Sequence, residues 1–293
     1  MDGVLNIRKE KGYTSFDVVA KLRGILHMKK IGHTGTLDPE AEGVLPVVLG
    51  KATKLVDLLT EKQKTYEALL HLGLETDTQD MTGTVLEEKP VEVTEEEVRT
   101  VIRSFLGEQQ QIPPMYSALK VDGKKLYELA REGKTVERKP RAVQFYEIEI
   151  KKIELPYVRF SVTCSKGTYI RTLCHDIGQK LGCGGCMEEL LRTRSGNFVW
   201  EDSMTLAQVE EAVRNGTIGD RVISIGQVLK DYPEIFCTRE GDRLLENGNA
   251  LAERFVRGEH KEGWVRMYAS DGTFTGIFQW DAGEKKYYPV KMF

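Results

Sequence analysis

A glycine-rich loop around one aspartate constrains this 293-residue chain more than any other feature. In IGHTGTLDPEAEGVLPVVLG, from Ile31 to Gly50, Asp38 lies between glycines and directly before Pro39. Proline disfavours the helical region for the residue before it, and glycine permits turns that a side chain would forbid. The apolar run VLPVVLG predicts a buried strand that anchors the loop. The pattern therefore predicts either one carboxylate held rigidly for chemistry or an ordinary Asp-Pro turn.

Composition limits the class of protein. Hydrophobic residues make up 40% of the chain and charged residues 30%, which fits one or two domains with a sizeable core. No apolar run reaches the roughly 20 residues that span a bilayer, and the N-terminus lacks the apolar segment of a signal peptide. Five cysteines, an odd number, argue against a complete disulfide framework. We therefore expect a cytoplasmic protein without membrane association.

Periodicity predicts both helices and antiparallel strands. Capping boxes at Thr14 and Thr94 predict helix starts. The helix after Thr14 is expected to bury four apolar residues at helical spacing, Phe16, Val19, Leu22 and Leu26. A third helix is expected to start near Thr168, directly after a strand that ends at Cys164. Functional residues are common where a strand ends at a cleft, so the first turn of this helix is a candidate site.

The remaining pattern predicts an α+β fold with a largely antiparallel sheet. Gln144 to Ile150 alternates, with Tyr146, Ile148 and Ile150 on the face expected to be buried. The pair Asp122–Gly123 predicts a turn. We place a domain boundary at residue 230: residues 1–230 form the main domain with flanking helices, and residues 231–293 form a small β-barrel.

Charge is unevenly distributed. The formal net charge is −3, which argues against nucleic-acid binding through overall charge. Between Lys120 and Arg141, however, eight basic residues outnumber four acidic ones. This segment is either a salt-bridged helix face or a basic RNA-binding surface. The prolines and the tyrosine just before it, in IPPMY, favour the binding surface.

Four segments, taken together, resemble the TruB family of tRNA pseudouridine synthases. They are GHTGTLDPEAEGVLPVVLGKATK, KTYEALLHLGLETDTQDMTG, QIPPMYSALKVDGKKLYELAREG and CSKGTYIRTLCHDIGQKLGCGG, in the order of the family. The resemblance implies a pseudouridine synthase-like fold, with a PUA-like RNA-binding module in the C-terminal barrel. At Lys9–Glu10 the family usually has Lys-Pro, so the role of Lys9 is left open.

The resemblance implies that this chain converts the uridine at position 55, in the T-loop of tRNA, to pseudouridine. That reaction breaks the bond from uracil nitrogen to ribose, rotates the base and re-joins it through a ring carbon. Asp38 matches the catalytic aspartate, and Arg171 would pair with it and fix its orientation. Tyr66 matches the tyrosine that lies against the target base. The residues alone favour a structural salt bridge for Arg171 and, more strongly, an ordinary strand aromatic for Tyr66.

Further residues are assigned to RNA binding. By resemblance, His33 fills the space that the flipped-out base vacates, and Tyr169 and Leu190 line the uracil pocket. Tyr169 and Leu190 are equally compatible with the core. The residues alone favour a solvated or hydrogen-bonded loop residue for His33. We expect contacts to the RNA backbone from six basic residues: Lys120, Arg138, Arg141, Lys166, Arg192 and Arg194.

The cysteines allow one rival interpretation. Cys183-Gly-Gly-Cys186, with Cys174 and His175 nearby, has some of the donors of a zinc site. Because Cys174 and His175 are adjacent on a predicted helix, their side chains should point in different directions. We therefore predict no metal, and the isomerisation requires no cofactor.

Two other functions stay open at this point. The chain could act mainly as an RNA-binding folding helper with secondary catalysis, or it could depend on a guide RNA. The short C-terminal module and the lack of basic tails argue against guide dependence. Our prediction is a monomeric enzyme that binds the T-arm of tRNA and requires no protein partner.

Overall fold

The computed structural model describes residues 1–121, 123–259 and 261–293, and it contains strands throughout this length. In chain order the strands are β1 (Gly3–Lys9), β2 (Ile31–His33), β3 (Glu42–Leu49), β4 (Lys64–Leu72), β5 (Leu74–Thr76), β6 (Val85–Glu88), β7 (Gly107–Gln111), β8 (Lys120–Val121), β9 (Lys124–Lys125), β10 (Arg141–Glu154), β11 (Tyr157–Cys164), β12 (Gly185–Ser195), β13 (Phe198–Val199), β14 (Glu234–Cys237), β15 (Leu251–Ala252), β16 (Val256–Arg257), β17 (Trp264–Tyr268), β18 (Phe274–Asp281) and β19 (Lys286–Met292).

The helices lie mostly in the first 230 residues. They are α1 (Ser15–Ile25), α2 (Val56–Thr60), α3 (Glu95–Arg103), α4 (Leu126–Arg131), α5 (Ile170–Leu181), α6 (Leu206–Arg214), α7 (Ile225–Val228) and α8 (Asp242–Glu246), with short 3-10 turns at Gly50–Leu55, Ile218–Arg221 and Glu253–Phe255. The capping boxes predicted at Thr14 and Thr94 are both present. In the described ranges, the helices are all too short and too polar to cross a bilayer.

A mixed sheet forms the centre of the larger part of the chain. Its strand order is β1-β3-β12-β4-β11-β10-β7, with β2 paired to β3 and β13 to β12. The pairs are antiparallel except for β3 and β12, which meet in parallel at Leu191–Glu42 and Arg192–Gly43. Helices α3 and α5 cover one face over β4, β10 and β11, while α1 and α6 pack over β1 and β3. This arrangement confirms the predicted α+β fold with a largely antiparallel sheet and flanking helices.

Strand β3 is the predicted buried anchor of the Asp38 loop. Every residue of β3 after Glu42 is buried, because α1 and α6 cover one face, while the turn after β3, α2, α7 and Ile277 of β18 cover the other. A strand buried on both faces needs a continuous apolar run instead of alternation, and VLPVVLG supplies it. The prediction for this strand is therefore confirmed.

The C-terminal strands form a second, nearly closed sheet. Its six strands, counted in the described residues, follow the order β15-β19-β18-β17-β14-β16 and enclose their own apolar core. This sheet is the predicted small barrel. It also packs on the main sheet, because Ile277 of β18 is fully buried in the cluster that contains Val44 and Val48 of β3.

Two predicted burial patterns were wrong. Phe16 is 62% exposed, while Val18, Val19 and Leu22 carry the buried face of α1. Tyr146 is also exposed, because a bulge in β10 between Phe145 and Glu147 inserts it as an extra residue. A bulge resets the two-residue period, so Phe145 and Ile148 share the core face. For the predicted turn at Asp122–Gly123, Asp122 lies outside the described residues, and the flanking β8 and β9 pair antiparallel.

Arg266 of β17 fastens the C-terminal sheet to the rest of the chain. Its Nε donates to the carbonyl of Tyr232 at 2.8 Å and its Nη1 to the carbonyl of Gly226, in α7, at 3.0 Å. Nη1 also lies 3.1 Å from a carboxylate oxygen of Glu234. Only 9% of Arg266 is exposed, so these carbonyls receive hydrogen bonds that solvent cannot easily replace.

We expect Arg266→Ala to lower the free energy of unfolding by about 2–4 kcal/mol, because it leaves buried carbonyls without donors. Urea denaturation measures this change. Arg257→Ala, which removes an exposed arginine from β16, is the matched control and should stay within about 0.5 kcal/mol of wild type. Equal urea midpoints for the two variants would contradict the fastening role.

Candidate active site

The loop that carries Asp38 connects β2 to β3 and is fixed at each side of the aspartate. Before it, the backbone N–H of Leu37 donates to the hydroxyl of Ser15 at 2.9 Å. After it, the carbonyl of Pro39 accepts from the Lys9 ammonium and from the Gly12 backbone N–H, each at 2.9 Å. Asp38 is thereby held on a rigid support, as its position before a proline predicted.

Arg192, in β12, also binds the backbone of the Asp38 loop. Its guanidinium donates to the carbonyls of Val44 at 2.7 Å, Gly35 at 3.1 Å and Thr36 at 3.4 Å. Only 1% of Arg192 is exposed. The expectation that Arg192 contacts the RNA backbone is therefore corrected: its side chain is buried and its donors bind the protein's own loop.

Gly43 permits this arrangement. At this point β3 and β12 run so close together that a Cβ on Gly43 would lie 2.3 Å from the carbonyl oxygen of Arg192. Its φ of +129° is also one that a side chain disfavours. A glycine is therefore needed for the parallel contact that brings β12 beneath the Asp38 loop.

Asp38 and Arg171 form a two-pronged ion pair. Nε of Arg171 lies 2.9 Å from Oδ2 of Asp38, and Nη2 donates to Oδ1 at 3.3 Å. The Arg171 side chain is 5% exposed, whereas that of Asp38 is 39% exposed. The arginine is thus enclosed by protein, and the carboxylate is the end of the pair that reaches solvent.

Asp80 is a second carboxylate on Arg171, and the sequence reasoning did not identify it. Its Oδ2 lies 3.5 Å from Nε of Arg171. Its Oδ1 accepts from the hydroxyls of Thr78 at 2.7 Å and Thr82 at 2.5 Å. The available signal is the segment TDTQDMTG, in which threonines flank an acid, but this pattern is also typical of an ordinary turn.

The arginine uses its remaining donors on backbone carbonyls. Nη1 donates to Thr78 and Nη2 to Tyr116, each at 3.0 Å. Asp38, Asp80 and these two carbonyls belong to three separate loops, so one guanidinium fixes all three loops relative to α5.

A cavity of about 410 Å³ opens beside the ion pair. The predicted residues that line it are Asp38, Tyr66, Lys166, Tyr169, Arg171, Leu190 and Arg192. Burial raises the pKa of both Tyr66 and Tyr169, so each hydroxyl is neutral at physiological pH. The cavity therefore combines aromatic walls, which suit a planar base, with an exposed carboxylate.

Two buried lysines lie near the cavity: Lys64, which the sequence did not point to, and Lys9, whose role the sequence left open. Lys64 lines the cavity and donates to the carbonyls of Thr60 at 2.5 Å and Lys62 at 2.6 Å. Lys9 is fully buried beneath the loop. Burial lowers the pKa of each lysine to about 8. A lysine with such a pKa changes charge just above neutral pH.

The other predicted RNA contacts lie outside this cavity. Lys120, Arg138 and Arg141 line a separate cavity of about 230 Å³. Arg194 donates to the hydroxyl of Thr65 at 3.1 Å. His33 lies in β2 next to the loop, and burial together with the Arg192 charge lowers its pKa, so the ring is neutral at pH 7.

The cysteines offer no metal centre in the part of the chain that the structure describes. The five thiols are free and buried, and burial raises the pKa of Cys183 and Cys186. Across residues 1–121, 123–259 and 261–293, no group of three or more potential ligands is arranged to hold a metal ion. The rival interpretation of a zinc site therefore has no geometric support there.

Comparison with known proteins decides the family. The N-terminal domain of the TruB family of pseudouridylate synthases matches residues 23–170, and the C-terminal domain of tRNA pseudouridylate synthase B matches residues 171–230. The chain belongs to the TruB family. It is therefore an enzyme of the isomerase class, as the sequence predicted.

Curated TruB relatives match along nearly the whole chain. A protein of Lachnoclostridium phytofermentans named tRNA pseudouridine synthase B is 51% identical, with 100% of each chain covered. One of Clostridium novyi with the same name is 47% identical over 94% of this chain and 95% of the relative.

Solved structures agree on the fold. A chain of an H/ACA ribonucleoprotein bound to a substrate RNA containing 2'-deoxyuridine matches with a TM-score of 0.74 and 28% identity, covering 99% of this chain and 84% of that one. A chain of a Cbf5-Nop10-Gar1 complex matches with a TM-score of 0.74 and 30% identity, at the same coverage.

We expect Asp80→Asn to reduce pseudouridine formation about 10- to 100-fold with little change in RNA affinity. The amide keeps the volume of Asp80 but removes a negative charge from Arg171, so the guanidinium that orients Asp38 is less firmly held. Single-turnover rates and filter binding measure the two quantities. Asp57→Asn, at an exposed position of α2, is the control; equal rates for both variants would contradict the role of Asp80.

Replacing Lys64 by Met should change how stability depends on pH. Lys64 has its ordinary pKa of 10.5 in the unfolded chain and about 8 in the folded chain. Between these values the unfolded chain holds more protons, so rising pH stabilises the fold, and Lys64→Met removes that gain. Urea unfolding at about pH 7.5 and pH 10 measures it, with Lys51→Met, at an exposed position, as the control. The prediction fails if the Lys64→Met protein shows the wild-type pH dependence.

Proposed function

We propose that the chain is a stand-alone tRNA pseudouridine synthase that isomerises uridine 55 in the T-loop. The observation that carries the proposal is the exposed carboxylate of Asp38 on a buried arginine, at the wall of a cavity with two tyrosines. The relatives named tRNA pseudouridine synthase B support tRNA as the substrate.

Asp38 is the proposed catalytic residue. The isomerisation needs an ionised carboxylate at the uracil or the ribose, and it needs that carboxylate in a fixed orientation. Arg171 provides the orientation through its two contacts, and because it is enclosed by protein it cannot swing away toward solvent. The uracil that leaves the ribose stays in the cavity and re-joins through its ring carbon C5. The bond from ribose to N1 breaks, a bond from ribose to C5 forms, the C5 hydrogen leaves as a proton, and N1 takes up a proton.

The tyrosines and Leu190 are the proposed walls of the uracil site. The ring of Tyr66 offers an aromatic face to the base, and its neutral hydroxyl can exchange a proton with the reacting ring. Tyr169 and Leu190 line the same cavity and exclude water from the base.

The uridine must leave the RNA stack to enter this cavity. Base flipping is the general solution where a reacting atom is covered by stacked neighbours, and a T-loop offers unpaired bases. His33, neutral and next to the Asp38 loop, is the proposed side chain for the vacated space.

Basic residues around the cavity are the proposed RNA contacts. Lys166 lies in the wall of the cavity and is exposed, with Glu61 as its ion-pair partner. Lys120, Arg138 and Arg141 add a second basic region that suits the phosphates of the T-stem. Arg194 is retained as a weaker candidate because its guanidinium is already bound to Thr65.

A guide-RNA-dependent enzyme is the alternative that the ribonucleoprotein structures raise. Those chains are 28–30% identical to this one, whereas the relatives named as tRNA enzymes reach 45–51%. We therefore expect the purified monomer to modify an unmodified T-arm transcript with no other RNA or protein added. Pseudouridine formation is measured by the release of tritium from C5 of the target uridine. Activity that appears only with an added guide RNA would overturn the stand-alone proposal.

We expect Asp38→Asn to bind the T-arm with wild-type affinity and to form no pseudouridine, because the amide cannot act as nucleophile or base. Glu40→Gln is the matched control: Glu40 is also exposed, two residues further along the loop, and only its contact to Lys11 at 3.6 Å is lost. That control should keep wild-type turnover. Full turnover by the Asp38→Asn protein would refute the assignment of Asp38.

A further inference from the structure

The side chain of Gln111 forms a double hydrogen bond with the backbone of Tyr169. The amide nitrogen of Gln111 donates to the carbonyl of Tyr169 at 3.0 Å, and the backbone N–H of Tyr169 donates to the amide oxygen at 2.8 Å. Gln111 is the last residue of β7 and is 4% exposed. One planar amide thus satisfies both polar groups of a single backbone residue 58 positions away.

This contact anchors the start of a helix that has no side-chain cap. Helices α1, α3, α6 and α7 each begin with a Thr or Ser whose hydroxyl accepts a hydrogen bond from the third residue of the helix. Helix α5 begins after Tyr169, which provides no such side-chain cap. Because the N-terminal turn of a helix is otherwise free to fray, its position here depends on contacts from other elements.

The first turn of α5 is also the turn that carries the ion pair. Arg171 is its second residue, and Tyr169 lines the cavity. Gln111 begins the segment that reaches Tyr116, whose carbonyl accepts from Arg171 at 3.0 Å. The same segment therefore holds Tyr169 at one end and Arg171 at the other.

We propose that Gln111 is a positioning residue for the isomerisation, which sets the backbone of Tyr169 and through it the orientation of Arg171 toward Asp38. This rests on the proposed function of the Asp38 site. Gln111 touches no substrate; it acts through the helix start. A change there should lower kcat and leave the KM for RNA nearly unchanged, since the basic surface is not altered.

Gln111→Glu tests the proposal through pH. An ionised carboxylate accepts from the Tyr169 N–H but repels the Tyr169 carbonyl, whereas a protonated carboxyl restores both hydrogen bonds. Three charged groups act on Tyr169, the residue that Gln111 binds: Arg171, Asp38 and Arg141, the last of which is paired with Gln111 across β7 and β10. The two arginines favour the ionised form of a carboxyl at position 111, whereas Asp38 and burial favour the protonated form.

We expect kcat of the Gln111→Glu protein to be about 30-fold below wild type near pH 8.5 and within about 5-fold near pH 5.5. Gln111→Met, which has no hydrogen-bonding group, should be low at every pH. Gln110→Glu makes the same chemical change on the exposed neighbouring residue and should follow wild type. Urea midpoints at each pH show that every variant is folded.

The outcomes separate the two proposals. A wild-type protein that forms no pseudouridine in tRNA would refute the proposed function itself. If the wild-type protein is active, two results for Gln111→Glu would overturn the role of Gln111 alone. One is a kcat equal to wild type at every pH, and the other is a loss of kcat that does not change with pH. A loss of urea stability with unchanged kcat per folded molecule would make Gln111 a structural residue only.

Discussion

The ion pair between Asp38 and Arg171 is the interaction on which the site depends. A guanidinium with 5% exposure must find partners for its donors inside the protein, since an unpaired buried charge is strongly destabilising. Here the partners come from the loops of Asp38, Asp80 and Tyr116, so satisfying the arginine brings these loops together. The need to pair one charge therefore organises a site drawn from distant parts of the chain.

A second arginine explains why the Asp38 loop arrives in the right place. Arg192 binds the carbonyls of Gly35 and Val44 on the two sides of Asp38, and Gly43 lets β12 approach β3 closely enough for this. The two arginines have different roles: Arg192 fixes the backbone of the loop, and Arg171 fixes the side chain of Asp38. Both are buried, so both act through the protein and not by meeting solvent.

The sequence predicted what depends on local pattern and missed what depends on long-range contacts. The buried strand after Asp38 follows from a continuous apolar run, and the capping boxes follow from residues three positions apart. The partner of Asp38 came from the family resemblance, since nothing local relates two residues 133 positions apart. Asp80 was missed for the same reason, because its role depends on a contact with α5 and not on its turn.

The errors have a common physical cause. Phe16 fits the helical period of α1, but the neighbouring elements decide which face of a helix is buried. In α1 the buried face contains Val18 instead of Phe16. Tyr146 fits a two-residue period that one bulge interrupts. Arg192 is a basic residue near the site, and charge alone does not distinguish a surface arginine from one that a loop encloses.

The basic region and the ion pair are linked by one stretch of chain. Arg138 donates to the carbonyl of Pro113 at 3.2 Å, and Arg171 donates to the carbonyl of Tyr116, three residues further on. The short segment from Pro113 to Tyr116 is therefore held at one end by an arginine of the basic region and at the other by the arginine of the ion pair. Its backbone is fixed by two buried or half-buried guanidinium groups that come from different parts of the chain.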